Sequence, residues 1–250
     1  MYHDDLKVII GEPSYASVLS SKETSKNPFF HIGCAYVPSV DELYVTSDLL
    51  ASTSSSKLPI VLISKVALSR DGQGRVSKAD WLKLRPPQNM TMPSGVAQHK
   101  HGLLFCSQGS TSTGTGGLFY MELGKPPQPV LTNYFGHDFN SIQEVVIAKD
   151  GTIWFCDSQV GFDKGIRPRP QLPSQIYRFH PETGDLRAVM TGLGRPRGLA
   201  FSPDESTLYV TATDAASADG SADATRYVNP GRPAVDEHFP FPRRGLSSSI

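Results

Sequence analysis

One phrase returns four times along this chain, and that return limits the fold more than any single residue does. It appears as HIGCAYVPSVDELYVTSD from His31, SGVAQHKHGLLFCSQG from Ser94, SIQEVVIAKDGTIWFCDS from Ser141 and PRGLAFSPDESTLYVTAT from Pro196. Each copy has two short apolar runs separated by a turn, and in the third copy Glu144–Ile147 and Thr152–Cys156 flank Lys149-Asp150-Gly151, a strong hairpin signal. Repeat starts at Gly33, Gly95, Glu144 and Gly198 lie 62, 49 and 54 residues apart. Units of roughly 40 to 50 residues built from four short strands are the pattern of a β-propeller. A β-sandwich also shows closely spaced strands, but it has no need for the same hairpin to recur.

Between the phrases the sequence supplies further strands. Leu58–Leu68 is rich in Val, Ile and Leu, Asp71-Gly72 marks a turn, and Trp81–Leu84 follows. Gly109–Gly117 reads as a flexible connection to a strand at Leu118–Met121, with Pro126–Leu131 closing that unit. A loop rich in Pro and Arg, Gly161–Pro173, leads to a strand at Gln175–Phe179, a turn at His180–Gly184 and a partner strand at Leu186–Met190. The expected organisation is an extended lead-in over 1–30, propeller blades over 31–213, and an irregular or disordered tail over 214–250, where Ala, Ser, Asp, Gly and Pro replace apolar alternation.

Composition narrows the partners. Lys plus Arg equals Asp plus Glu at 24 each in 250 residues, so the totals imply no basic face, and neither nucleic acid nor an anionic membrane is an expected partner. The expected partner is a small-molecule substrate; oligomeric state is not encoded in any pattern. The N-terminus has acids where a signal peptide carries basic residues, and no apolar stretch approaches the ~18 residues of a membrane span. A cytoplasmic location is the expectation. Cys34, Cys106 and Cys156 each sit inside an apolar phrase and not in a paired spacing, so they read as three buried small hydrophobes.

Phe139-Asn140-Ser141 with DGTIWFCDS, RPRPQLPSQIYRFHPETG and RPRGLAFSPDESTLYVT, in that order, resemble the senescence-marker-protein/gluconolactonase family, and most of all its fungal lactonase branch. The resemblance runs from about Phe29 to Thr213. It implies a six-bladed propeller with a divalent cation, usually calcium, at the channel mouth, hydrolysing lactones or related esters. Only about four blades are present, so the expectation is an incomplete propeller whose last two blades are missing from this chain.

The positions that the resemblance assigns to metal binding are altered. His31-Ile32-Gly33 stands where the family has a glutamate, Gln143-Glu144 where it has Asn-Asp, and Pro196-Arg197-Gly198 where it has Pro-Asn-Gly. Isoleucine offers no donor, and a guanidinium brings positive charge to the place of a cation. No metal ligands and no cofactor are therefore expected. Arg197 becomes a candidate electrophile able to hold a carboxylate or a polarised carbonyl. Glu144 and His31 are candidate acids or bases, and Gln143, Asn140 and Arg197 are candidate substrate-binding residues. Pairing of Arg197 with Glu144, Asp157 or another acid is the competing expectation.

The expected function is a lactonase-like enzyme acting, without calcium, on a small-molecule lactone or related natural-product intermediate of fungal secondary metabolism. The alternatives are a non-hydrolytic pericyclase of the hetero-Diels–Alderase kind, in which shape and a few hydrogen bonds suffice, and a catalytically inactive or truncated propeller.

Overall fold

The computed structural model describes residues 17, 19–20, 27–50 and 60–213, together with the backbone of 235–240. Three four-stranded antiparallel sheets follow one another. The first holds β1 (Cys34–Val37), β2 (Glu42–Thr46), β3 (Ile63–Arg70) and β4 (Val76–Leu84), and the second β5 (Pro93–His99), β6 (Gly102–Ser107), β7 (Gly117–Glu122) and β8 (Gln128–Leu131). After a two-stranded pair, β9 (Asn133–Tyr134) and β10 (His137–Asp138), the third holds β11 (Ile142–Ile147), β12 (Ile153–Asp157), β13 (Gln175–His180) and β14 (Asp185–Thr191). One helical turn, α1 (Val160–Asp163), lies between β12 and β13. A three-stranded sheet of β15 (Arg195–Phe201), β16 (Thr207–Thr213) and β17 (Val235–Pro240) ends the described chain.

Strand order within every blade equals sequence order, so each is a simple meander, and the first strands of successive blades lie side by side in the order β1, β5, β11, β15. That is the inner wall of a propeller channel, and the fold is a partial β-propeller. All four repeated phrases supply the two innermost strands of a blade.

The core lies between blades. Along β6, Leu103 and Phe105 join the cluster shared with β1–β3, while Leu104 and Cys106 join the cluster shared with β11–β13. Along β12, Ile153 and Phe155 face back toward the second blade, and Trp154 and Cys156 face forward onto Leu199, Leu208 and Val210. Successive side chains point to opposite faces of a strand, so a strand packed on both faces must be apolar at every position. That is why GLLFCS and IWFCD read as unbroken apolar runs and are buried throughout.

Polar staples hold the inner strands together. The Thr46 hydroxyl accepts from the Gly33 amide and donates to the Ser94 carbonyl, both at 2.8 Å, and Ser94 Oγ donates to the Ile142 carbonyl at 2.8 Å. The strands approach so closely that a Cβ on Gly95 would lie 2.4 Å from Glu144 Oε1 and 2.7 Å from the Gln143 carbonyl oxygen. Only glycine allows that approach.

Four expectations change. Residues 235–240 pair with β16 from Thr207↔Pro240 to Ala212↔Val235, so the tail expected to be irregular contributes a third blade strand; main-chain pairing along the open edge of β16 does not require apolar alternation. The remainder of 214–250 lies outside the described residues, as does most of 1–30. At the end of that lead-in, Phe29 is buried against Trp81, not extended in solvent. The 109–117 connection is not loose: Thr115 Oγ1 accepts from the Ser110 amide, Ser107 Oγ donates to the Thr115 carbonyl, and the Gly114 amide donates to Asp138. Finally, Cys34 is exposed while Cys106 and Cys156 are fully buried, because Cys34 and Tyr36 alternate onto the face of β1 opposite Ala35 and Val37.

Candidate functional site

At one end of the channel the inner strands share an irregularity. In β11 the register passes from Ile142↔Asp157 to Glu144↔Cys156 and skips Gln143; in β15 it passes from Pro196↔Ala212 to Gly198↔Thr211 and skips Arg197; in β5 it slips between Pro93 and Val96, across Ser94 and Gly95. In the first blade, His31 and Ile32 donate their amides to the Thr46 carbonyl just before β1 begins. Bulges of this kind re-aim a side chain at the end of a sheet. Ile32, Ser94, Gln143 and Arg197 therefore occupy corresponding places around the mouth.

Their chemistry differs from place to place. Ile32 is 38% exposed and brings no donor. Ser94 is spent on the inter-blade staple. Gln143 is buried, its Nε2 donating to Ser141 Oγ at 2.7 Å, the Ser141 carbonyl at 3.0 Å and Gln108 Oε1 at 3.3 Å. Arg197 is exposed.

Lys164, after α1, feels the charges of both Arg197 and Asp48, which follows β2. Lys164 caps α1; burial, with the Arg197 charge adding to it, lowers its pKa, and Asp48 acts in the opposite sense. Asp48 Oδ2 lies 3.7 Å from His31 Nε2, and its Oδ1 accepts the Leu49 amide at 2.7 Å. Arg195, buried two residues before Arg197, forms a two-pronged ion pair with Asp163 of α1 through Nε and Nη2. Its Nη1 is buried and has no hydrogen-bond partner among the described residues.

The expected pairing of Arg197 with Glu144 or Asp157 does not form: among the described residues no carboxylate lies within ion-pair distance of Arg197. Asp157 is committed elsewhere. Fully buried, it accepts the amides of Asn140 at 2.9 Å and Ser141 at 2.6 Å, and burial raises its pKa to about 7 against those hydrogen bonds. Glu144 lies further along the wall, its Oε1 accepting the Val145 amide at 3.0 Å; burial raises its pKa to about 7. It borders an open groove of about 570 Å³ lined also by Val96, Gln98, Val146, Leu199 and Phe201. Asn140 belongs to the scaffold as placed: its amide donates to the Leu172 carbonyl at 2.8 Å and accepts the Leu172 amide at 3.4 Å.

Two arginines escaped the sequence reading. Arg167 is buried and donates to three main-chain carbonyls, those of Asn140 (2.8 Å), Phe139 (2.5 Å) and Ser110 (2.6 Å). It runs between Gly109 and Gly161, where a Cβ would come within 2.7 Å of its Nη1 and 2.6 Å of its Cγ. Arg195 is hidden in the same way, inside RPRG beside Arg197. The only signal available for either was a basic residue in a stretch rich in Gly and Pro, which ordinarily means a solvated turn.

Calcium takes about six to eight oxygen ligands. Here the mouth presents an isoleucine, an amide whose nitrogen is turned into the protein, and the cations Arg197 and Lys164. Among the described residues no group of three or more His, Cys, Asp or Glu side chains is placed to hold a metal ion.

Among the described residues no helix is long and apolar enough to cross a membrane. The family model described as SMP-30/Gluconolactonase/LRE-like region matches residues 78–231. Lactonohydrolase oryL of Aspergillus oryzae is 31% identical over 221 residues, covering 85% of this chain and 46% of its own length. The gluconolactonase of Zymomonas mobilis is 37% identical over 92 residues, 35% of this chain and 25% of its own. Among solved structures, the gluconolactonase XC5397 from Xanthomonas campestris aligns with a TM-score of 0.54 at 26% identity, over 73% of this chain and 54% of that one. The chain thus spans about half the length, or less, of these relatives. With its family model covering more than half of the chain and its four inner hairpins arranged as propeller blades, the chain belongs to the SMP-30/gluconolactonase/LRE-like family.

Proposed function

We propose that the channel mouth binds a small-molecule lactone and opens it by hydrolysis, with Arg197 in the electrophilic place that a divalent ion holds in the resemblance. The observation that carries this is the position of Arg197: exposed at the bulge of an innermost strand, with no carboxylate paired to it among the described residues. A guanidinium there polarises the lactone carbonyl and stabilises the oxyanion formed when water adds to the carbonyl carbon. His31, beside Asp48, takes the proton of that water. Collapse of the intermediate breaks the ring C–O bond, and a protonated Glu144 gives its proton to the departing alkoxide; the product is a hydroxy acid. A carboxyl that titrates near pH 7 suits that exchange.

The likeness to lactonohydrolases of Aspergillus oryzae supports a lactone as substrate; that it is a natural-product lactone of fungal secondary metabolism, opened without bound calcium, is part of the same proposal. A second reading is favoured by the open groove beside Glu144, whose walls are largely apolar: a ligand folded against them would cyclise without hydrolysis.

The test is lactone opening followed by acid release, over a panel from aldonolactones to larger lactones, with calcium and with a chelator. The expected result is chelator-insensitive hydrolysis that falls about 10²- to 10³-fold in Arg197→Ala, the usual cost of one oxyanion donor. Hydrolysis that requires calcium, or that survives Arg197→Ala unchanged, overturns this reading.

A further inference from the structure

Positive charge at the channel mouth exceeds what the protein neutralises. Arg195 uses Nε and Nη2 on Asp163, which consumes that carboxylate, and leaves Nη1 buried with no partner among the described residues. Asp48 has one oxygen on the Leu49 amide and the other facing His31. Lys164, directly after Asp163, is half-buried, and Arg197 lies two residues beyond Arg195 on the same strand. Among the described residues neither Lys164 nor Arg197 has a carboxylate within ion-pair distance, although each feels the other's charge. Two cations held near one another at a partly dry site, beside an arginine nitrogen with no acceptor, cost stability unless an anion completes them.

We propose that Lys164 and the Nη1 of Arg195, which has no partner among the described residues, form a carboxylate-binding subsite beside Arg197, whose guanidinium stays on the lactone carbonyl, so that the small molecule taken by the channel is an anion. This rests on the reading of the mouth as a ligand site and deepens it: the substrate class becomes a lactone that carries a free carboxylate, and the hydroxy acid formed from it leaves as a dianion. The Lys164 ammonium and the remaining Arg195 nitrogen each donate to a carboxylate oxygen, and the Arg197 charge beside them strengthens both bonds. Arg195, buried and already fixed by Asp163, supplies a donor whose direction is set before the ligand arrives.

The probe is succinate, compared with its neutral diamide and with inorganic phosphate, titrated into the full chain by calorimetry. A single saturable succinate site is expected, with the diamide at least about tenfold weaker and phosphate weaker than succinate. Lys164→Gln and Arg197→Gln are each expected to weaken succinate about tenfold, and raised salt to weaken it further. Both side chains lie outside the core, and unchanged melting confirms that each variant is folded. As a second measurement, NMR titration of the Lys164 ε-ammonium is expected to move its pKa upward when succinate is bound. Equal binding of succinate and the diamide, tighter binding of phosphate, no saturable binding, or an unmoved Lys164 overturns the proposal. Succinate has no ester to cleave, so its failure to bind leaves the hydrolytic reading standing, and a failure of lactone hydrolysis leaves this one standing.

Discussion

Thr46 on β2 donates its hydroxyl hydrogen to the carbonyl oxygen of Ser94 on β5, 2.8 Å away, while accepting the Gly33 amide at the same distance. One fully buried side chain thus ties the first blade to the second, and Ser94 Oγ passes the tie to Ile142 in the third. Thr46→Val keeps the shape and leaves a buried carbonyl and a buried amide without partners, at a cost of about 2 to 4 kcal/mol. Ser94→Ala removes one donor and costs about 1 to 2 kcal/mol. Chemical denaturation measures both, and a neutral Thr46→Val variant would mean that the inner strands are held by packing alone.

Arg167 is expected to matter to stability more than any exposed arginine. Three main-chain carbonyls depend on it, and two of them, those of Phe139 and Asn140, precede the backbone amide of Ser141 that holds Asp157. Arg167→Met fills much of the volume but leaves all three acceptors unmatched, an expected loss of about 3 to 5 kcal/mol. Arg167→Lys is expected to recover little of it, because a point charge cannot reproduce the fork. Melting temperatures of the two variants decide this, and recovery to near wild type by lysine would contradict it.

Stability is expected to decline as pH rises across the neutral range. Burial raises the Glu144 and Asp157 carboxyls to about 7, above the unfolded values of 4.5 and 3.8. The folded state therefore retains protons that the unfolded chain releases. The resulting contribution is complete below about pH 4 and is lost as pH rises through about 7. Glu144→Gln is expected to flatten part of that decline, worth about 1 to 3 kcal/mol. Unfolding free energies at about pH 5 and pH 8 give the slope, and an unchanged slope in Glu144→Gln would contradict the assignment.

Thiol accessibility gives a simple check of blade order. Cys34 lies on the exposed face of β1, whereas Cys106 and Cys156 are enclosed between blades and their thiols are pushed up by burial. A disulfide-exchange reagent is expected to label one thiol per native chain and three after denaturation. Rapid native labelling of Cys106 or Cys156 would mean that the second and third blades are not packed as described.

The fold was legible in the sequence because its core lies between repeated, two-sided strands. GLLFCS and IWFCD read as strands because each follows a turn in a repeated hairpin phrase, and the turns at Lys100 and Lys149–Gly151 lie where the phrases place them. The third strand of the last blade was not legible, since main-chain pairing along the edge of β16 leaves no mark on side-chain patterning. Gln143 and Arg197 stand out because they occupy positions to which the resemblance assigns metal ligands. Lys164, Arg195 and Arg167 did not, because their neighbours come from other blades, and no local spacing records that Asp163 faces Arg195 or that Ser110 faces Arg167. The Asn140 bond to Leu172 was hidden for the same reason, since Leu172 lies on a loop whose course sequence does not give.

The central claim is that this mouth is built for an anion and not for a metal cation, and calcium itself tests it most directly. Calorimetric titration of the full chain with calcium to about 1 mM is expected to show no saturable uptake, since Ile32, Arg197 and Lys164 offer repulsion or nothing where oxygen donors are needed. A one-site isotherm tighter than about 10 µM that disappears in Gln143→Ala would contradict the account.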